Sequence, residues 1–81
     1  MPRYFFDTDD GEKRHDDDEG TELADDQAAR DEAVQAMAEI ASDYLPGTAG
    51  PQKNITMWIR NEADDTILQL ALAFTIHRPR R

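Results

Sequence analysis

Carboxylates are the side chains most able to do chemistry in this sequence, and they cluster. Asp7, Asp9, Asp10, Gly11 and Glu12 make one run, and Asp16, Asp17, Asp18 and Glu19 make another. Alternating acids ahead of a glycine raise the question of calcium. An EF-hand loop needs acids at its first, third and fifth positions, glycine at the sixth and glutamate at the twelfth, because the turn at the glycine brings the oxygens round one ion. Counted from Asp7, the fifth position is Gly11, the sixth is Glu12 and the twelfth is Asp18, so the motif fails. A weak, non-specific divalent-cation site in Asp7–Asp10 or Asp16–Glu19 stands against a solvated acidic turn. The solvated turn is the expectation, and no metal and no cofactor are assigned.

Other chemistry is poorly provided for. The two histidines, His15 and His77, lie far apart in the chain and there is no cysteine, so neither a thiolate site nor an HxxxH pair exists. Gly47-Thr48-Ala49-Gly50 lacks the lysine of a phosphate-binding loop. Ser42 is the one serine, flanked by Ala41 and Asp43, and no histidine is placed beside it by any pattern. With 18 acids present, any carboxylate pair is uninformative about acid–base catalysis. A domain this thin also has little room for a pocket that excludes water. The expectation is that the protein is not an enzyme. Trp58 is the one tryptophan; it suits an interface anchor, or simple sheet packing with one edge wet.

Charge narrows the partners. Residues 1–43 hold 15 acids and 4 bases, whereas residues 44–81 hold 3 acids and 5 bases, within an overall net charge of −9. So acidic a front half repels nucleic acid, whose binding needs phosphates neutralised by Lys and Arg, and it favours a basic protein partner. The only basic cluster is His77-Arg78-Pro79-Arg80-Arg81, read as a solvated end with residues 78–81 disordered. At the N-terminus only Tyr4-Phe5-Phe6 are apolar before acids begin, which does not make a secretory signal. The run from Ile67 to Ile76 is far below the roughly 20 residues that span a bilayer. No membrane association is expected, and the expected location is the cytoplasm.

The chain must position whatever it carries within one small domain, residues 1–81, with a marginal core and no disulfide to staple it. Arg3 to Asp7 reads as a strand, with Tyr4 and Phe6 on one face and Phe5 on the other. Asp9-Asp10-Gly11 is a turn signal, and Glu12 to His15 returns as a short charged edge strand. Asp25 or Asp26 caps a helix whose inner face is Ala29, Ala33, Ala36, Met37, Ile40 and Tyr44, at spacings of three and four. Pro46-Gly47 ends it, with a left-handed glycine cap. Asn54 to Arg60 and Thr66 to His77 then form a hairpin across Asn61–Asp65. In its second strand Leu68, Leu70, Leu72, Phe74 and Ile76 alternate with smaller residues and should face the helix. The fold class is therefore α+β: an antiparallel sheet of three to four strands in β-β-α-β-β order, with one helix on one face.

One helix cannot cover both faces of that sheet. The second face takes Ile67, Ala71 and Ala73, together with Phe5 or the Tyr4/Phe6 pair. It also takes either Ile55, Met57 and Ile59 or Thr56, Trp58 and Arg60, depending on register. An open, partly apolar face on so small a domain suggests self-association as a two-fold dimer, with Trp58, Ile67, Ala71, Ala73 and Phe5 as interface candidates.

The opening Met1-Pro2-Arg3-Tyr4-Phe5-Phe6, the Asp10-Gly11 turn, the segment Asp18-Glu19-Gly20-Thr21-Glu22-Leu23 ahead of an Ala/Glu helix, and a Leu-rich final strand resemble a family of small, uncharacterised bacterial proteins. The resemblance covers nearly the whole chain. It implies a strand, edge strand, helix and hairpin order, and it implies no activity, cofactor or catalytic residue. The family's hairpin loop is expected to carry Asp-Gly, where this chain has Asp64-Asp65. Within the Asp18–Leu23 segment, Gly20 reads as a bend and Leu23 as a plug at the helix entry. More loosely, the acidic turn followed by a Leu-Ala-Asp helix entry is similar to the N-terminal domain of HicB-type antitoxins, which bind a small basic toxin. The expected function is a non-enzymatic cytoplasmic interaction domain, homodimeric and with an acidic surface. An antitoxin-like regulator and a weak cation- or ligand-binding stress protein are the alternatives.

Overall fold

The computed structural model describes residues 1–80; the last residue of the expected basic tail, Arg81, lies outside them. Strand β1 (Arg3–Asp9) leads into two two-residue strands, β2 (Arg14–His15) and β3 (Thr21–Glu22). Helix α1 (Asp26–Tyr44) follows, closed by a single 3-10 turn at Leu45–Gly47, and then the long strands β4 (Gln52–Arg60) and β5 (Thr66–Thr75). Residues 76–80 carry no regular secondary structure. All strand pairing is antiparallel, in the order β2-β1-β4-β5, with β3 also paired to β1. The class is α+β with one helix, as the alternation required. Among the described residues the sheet has five strands and not three or four, because Thr21–Glu22 pairs with Arg3 and Tyr4 before the helix begins.

The helix starts where its cap chemistry dictates. Asp25 is extended, with φ −163°, and its carboxylate accepts the Ala28 N–H at 2.8 Å, satisfying one of the free donors of the first turn. Ala29, Ala33 and Met37 are buried against the sheet, flanked by half-buried Ala36 and Ile40. Alanine at the contact lets the helix approach closely, and its opposing layer is Ile55, Met57 and Ile59 of β4. Tyr44, placed on the same stripe by spacing, is exposed, because the helix has passed the buried layer by its last turn. The end also differs from expectation: Gly47 does not adopt a left-handed cap. Pro46 instead tightens the chain into the 3-10 turn, where the Thr48 N–H donates to the Leu45 carbonyl at 3.1 Å.

Pairing of β4 with β5 sets Leu68, Leu70 and Leu72 opposite Ile59, Met57 and Ile55, all on the helix side. Phe74 is half-buried but outside that cluster, and Ile76 lies beyond the strand and is exposed. Both belong to the alternation, yet the helix does not reach that far along the strand. Ile67 departs for another reason. Ile59 pairs with Leu68 and Arg60 with Thr66, so Ile67 is the extra residue of a bulge. The bulge breaks the period of two, and Ile67 packs against the core and not on the second face.

Candidate functional site

The register places Phe5, Asp7, Trp58 and Arg60 together on the face of the sheet away from the helix, with Phe5 opposite Arg60 and Asp7 opposite Trp58. Asp7 is only 2% exposed. A buried carboxylate must be paired and fully hydrogen-bonded to be tolerated, and this one is. Arg60 Nε donates to Asp7 Oδ2 at 2.6 Å and Arg60 Nη2 to Oδ1 at 3.1 Å, while the Asp17 backbone N–H donates to Oδ1 at 2.9 Å. Arg14 stands 3.8 Å away on the exposed side. The Arg60 guanidinium holds the Asp7 carboxyl below the ordinary carboxylate range, against the upward push of burial. The Asp7 and Asp64 carboxylates in turn raise the pKa of Arg60.

Residues 10–22 form a strap over this face and along the outer side of β1. It starts at Gly11, whose φ of +94° makes the turn, with Asp9 and Asp10 carboxylates accepting the N–H groups of Gly11, Glu12 and Lys13. Asp17 fastens its middle. Its carboxylate accepts the N–H groups of Phe6 (3.1 Å), Glu19 (3.1 Å) and Gly20 (3.0 Å), while its carbonyl accepts Arg60 Nη2 at 3.0 Å. Burial pushes the Asp17 carboxyl up, and the donors from Gly20, Phe6 and Glu19 outweigh it and hold the group low. Gly20 then turns the chain with φ +74°; a Cβ there would stand 2.8 Å from Arg3 Cγ and 2.9 Å from both Phe5 Cε1 and the Tyr4 carbonyl oxygen. Leu23, past the bend, packs on the core and donates its N–H to the Pro2 carbonyl.

The two aromatic interface candidates on this face are therefore covered by cations. The Arg14 guanidinium carbon lies 4.5 Å from the centre of the Trp58 ring, and that of Arg60 lies 5.0 Å from Phe5. Ala71 and Ala73 remain exposed on β5, and Ile67 is drawn to the other side by its bulge. Among the described residues, no group of three or more His, Asp or Glu side chains is arranged to hold a metal ion. Asp7 and Asp17, read from the sequence as part of solvated acidic runs, spend their oxygens on guanidinium and backbone N–H groups. A concavity of about 540 Å³ near Pro51 is lined by one charged side chain, Arg78, and no carboxylate or imidazole.

What the face closes, the sheet edge leaves open. On β1 the outer edge is occupied: Tyr4 pairs with β3, the Phe6 N–H is taken by Asp17, and Thr8 pairs with β2. On β5 no strand lies beyond among the described residues. The Ile76 N–H donates to the Pro51 carbonyl at 2.7 Å, continuing the β4–β5 ladder. Hydrogen-bonded and non-bonded pairs alternate in an antiparallel ladder, so Leu68, Leu70, Leu72 and Phe74 turn their backbone groups to β4. Gln69, Ala71, Ala73 and Thr75 turn theirs outward. The strand is ten residues long and has neither a charge nor a proline. Charge and proline are two of the devices by which edges are blunted; a third, the bulge at Ile67, sits at the hairpin end of β5 and outside the stretch from Gln69 to Thr75.

No helix among the described residues is long and apolar enough to cross a membrane. Comparison with curated proteins and with solved structures returns no match. A family model does match, from the first residue of β1 almost to the end of β5, in keeping with the resemblance to a family of uncharacterised small domains. The chain belongs to the family described as Domain of unknown function (DUF6894), whose model covers residues 3–73.

Proposed function

We propose that this domain is a non-enzymatic protein-interaction module that takes up its partner by strand addition along β5. The observation that carries the reading is the contrast between the two edges: β1 is sealed by the strap, whereas β5 presents the outward N–H and C=O groups of Gln69, Ala71, Ala73 and Thr75. Main-chain hydrogen bonds along such an edge supply affinity, and alternate side chains supply selectivity. The polar cluster of Asp7, Asp17 and Arg60 fastens the strap and has its bonds satisfied within the chain, so its role is to hold the strap against the β1 side of the second face.

Paired capture from host lysate tests the reading, using the wild-type chain and the variant Ala71→Pro as baits. Proline at 71 removes an outward donor and leaves the ladder to β4 intact. Recovery of a partner, a second copy of this chain included, by wild type and its loss with Ala71→Pro supports strand addition. Equal recovery by both baits rules it out.

A further inference from the structure

We infer that the strand received by β5 is the β5 of a second copy, so that two domains join into one continuous antiparallel sheet about a two-fold axis. This rests on the strand-addition reading and names its partner. In antiparallel self-pairing the outward backbone groups at positions 69, 71 and 73 must meet their own equivalents. Centred on Ala71, Gln69 pairs with the partner strand's position 73, and position 70 pairs with position 72. Every Leu68, Leu70 and Leu72 side chain then meets a leucine or Phe74 on the helix side, and Ala71 and Ala73 meet small or neutral side chains on the other. The partner strand must be apolar on one side, small on the other and free of charge, and β5 meets each requirement itself.

Charge selects the same occupant. The chain carries −9, but its acids lie mainly in residues 1–43 and β5 has none, so like charges do not meet at the edge. A basic partner gains nothing along an uncharged strand. Burial argues likewise: Leu68, Leu70 and Leu72 are only half-buried at the margin of a core of seven buried apolar side chains among the described residues, and a second sheet edge would cover them.

Sedimentation of the purified full chain across the micromolar range tests this, with circular dichroism confirming that each variant is folded. Wild type is expected to approach twice 9.2 kDa. Ala71→Pro and Ala73→Lys are expected to weaken association at least about tenfold, since proline and lysine are edge-blocking residues. Asn54→Lys, an exposed substitution on the second face of β4, should leave it unchanged. A wild-type chain that stays monomeric overturns the inference, as does a dimer indifferent to both edge variants or broken by Asn54→Lys. A monomeric pure chain whose Ala71-dependent capture of a different protein persists overturns the second copy and leaves strand addition standing.

Discussion

Arg60 reaches Asp7 across neighbouring strands with two nitrogens, Nε at 2.6 Å and Nη2 at 3.1 Å, and the same guanidinium spans on to Asp64 on the hairpin loop at 2.8 Å and the Asp17 carbonyl at 3.0 Å. One side chain thus ties β1, the hairpin loop and the strap together. Its guanidinium also lies over Phe5, so the β1 side of the second face is covered by a cation and not by a second helix.

Removing the carboxylate at the centre should be costly. Asp7→Ala leaves Arg60 without its closest partner and the Asp17 N–H without an acceptor. Because Arg60 remains a quarter exposed, water relieves part of the loss. Stability is expected to fall by about 2–3 kcal/mol in urea unfolding. Asp16→Ala, at an exposed acid of the second run, should stay within about 0.5 kcal/mol of wild type.

Two limbs of the pH profile follow from the same network and from Tyr4. Asp7 and Asp17 have depressed pKa values in the folded chain. Their contribution is present above the unfolded carboxylate value of about 3.9 and is lost as pH falls through the lower folded values, so thermal stability drops in acid. Tyr4 runs the other way. Its hydroxyl donates to Asp26 Oδ1 at 2.7 Å, which with burial pushes its pKa up from 10.0 to about 12. That contribution is full below pH 10.0 and is lost as pH rises toward about 12. Melting curves should show both limbs, and Tyr4→Phe should flatten only the alkaline one.

The glycines should separate by position. Gly20→Ala forces a Cβ to 2.8 Å from Arg3 Cγ at a φ of +74° and should cost about 1–3 kcal/mol. Gly47→Ala meets nothing within 4 Å at an ordinary φ, and is expected to be neutral or to stabilise by up to about 1 kcal/mol. Denaturant midpoints of the two variants decide this directly.

Asp64 occupies the left-handed position, φ 66°, at the point in the hairpin where the family resemblance expects Asp-Gly. Its loop is held by the Asn61 carboxamide oxygen, which accepts the N–H groups of Ala63 and Asp65 at 3.0 Å each. Both Asp64→Ala and Asp64→Gly lose the exposed Arg60 contact, but Asp64→Ala should be the less stable of the two by about 1 kcal/mol, because glycine carries no Cβ penalty there. Thermal melts compare them.

These contrasts show where sequence pattern carries structural information. The aromatic alternation of Tyr4, Phe5 and Phe6, a helix cap at Asp25 or Asp26 and the leucines of β5 are legible because each repeats at the period of its element or satisfies a known cap, and the structure selects Asp25. Asp7 was not. One acid among nine between Asp7 and Glu22 has no sequence mark for burial; its partner Arg60 lies 53 residues away. Strand β3 was missed because two residues show no period, and Ile67 because a bulge reverses the face that alternation assigns. Tyr44, Phe74 and Ile76 continue their apolar patterns past the region where helix and sheet overlap, and period reports direction, not reach. Within the candidate site, Ala71 and Ala73 were placed on the second face, while the free edge beside them depends on strand order, which hydropathy does not encode.

Salt tests whether two copies meet along an uncharged edge. Two chains of −9 repel at long range, so added salt should strengthen self-association several-fold from low to physiological ionic strength. Sedimentation at two salt concentrations reads this. Weakening with salt would point instead to an oppositely charged partner surface.

Residue-resolved amide exchange across a dilution series tests strand addition at β5 most directly. The outward amides of Gln69, Ala71 and Ala73 should be protected at high protein concentration and exchange freely on dilution, while those of Leu68, Leu70 and Leu72, bonded to β4, stay protected throughout. Free exchange at 69, 71 and 73 at every concentration would contradict the self-paired edge.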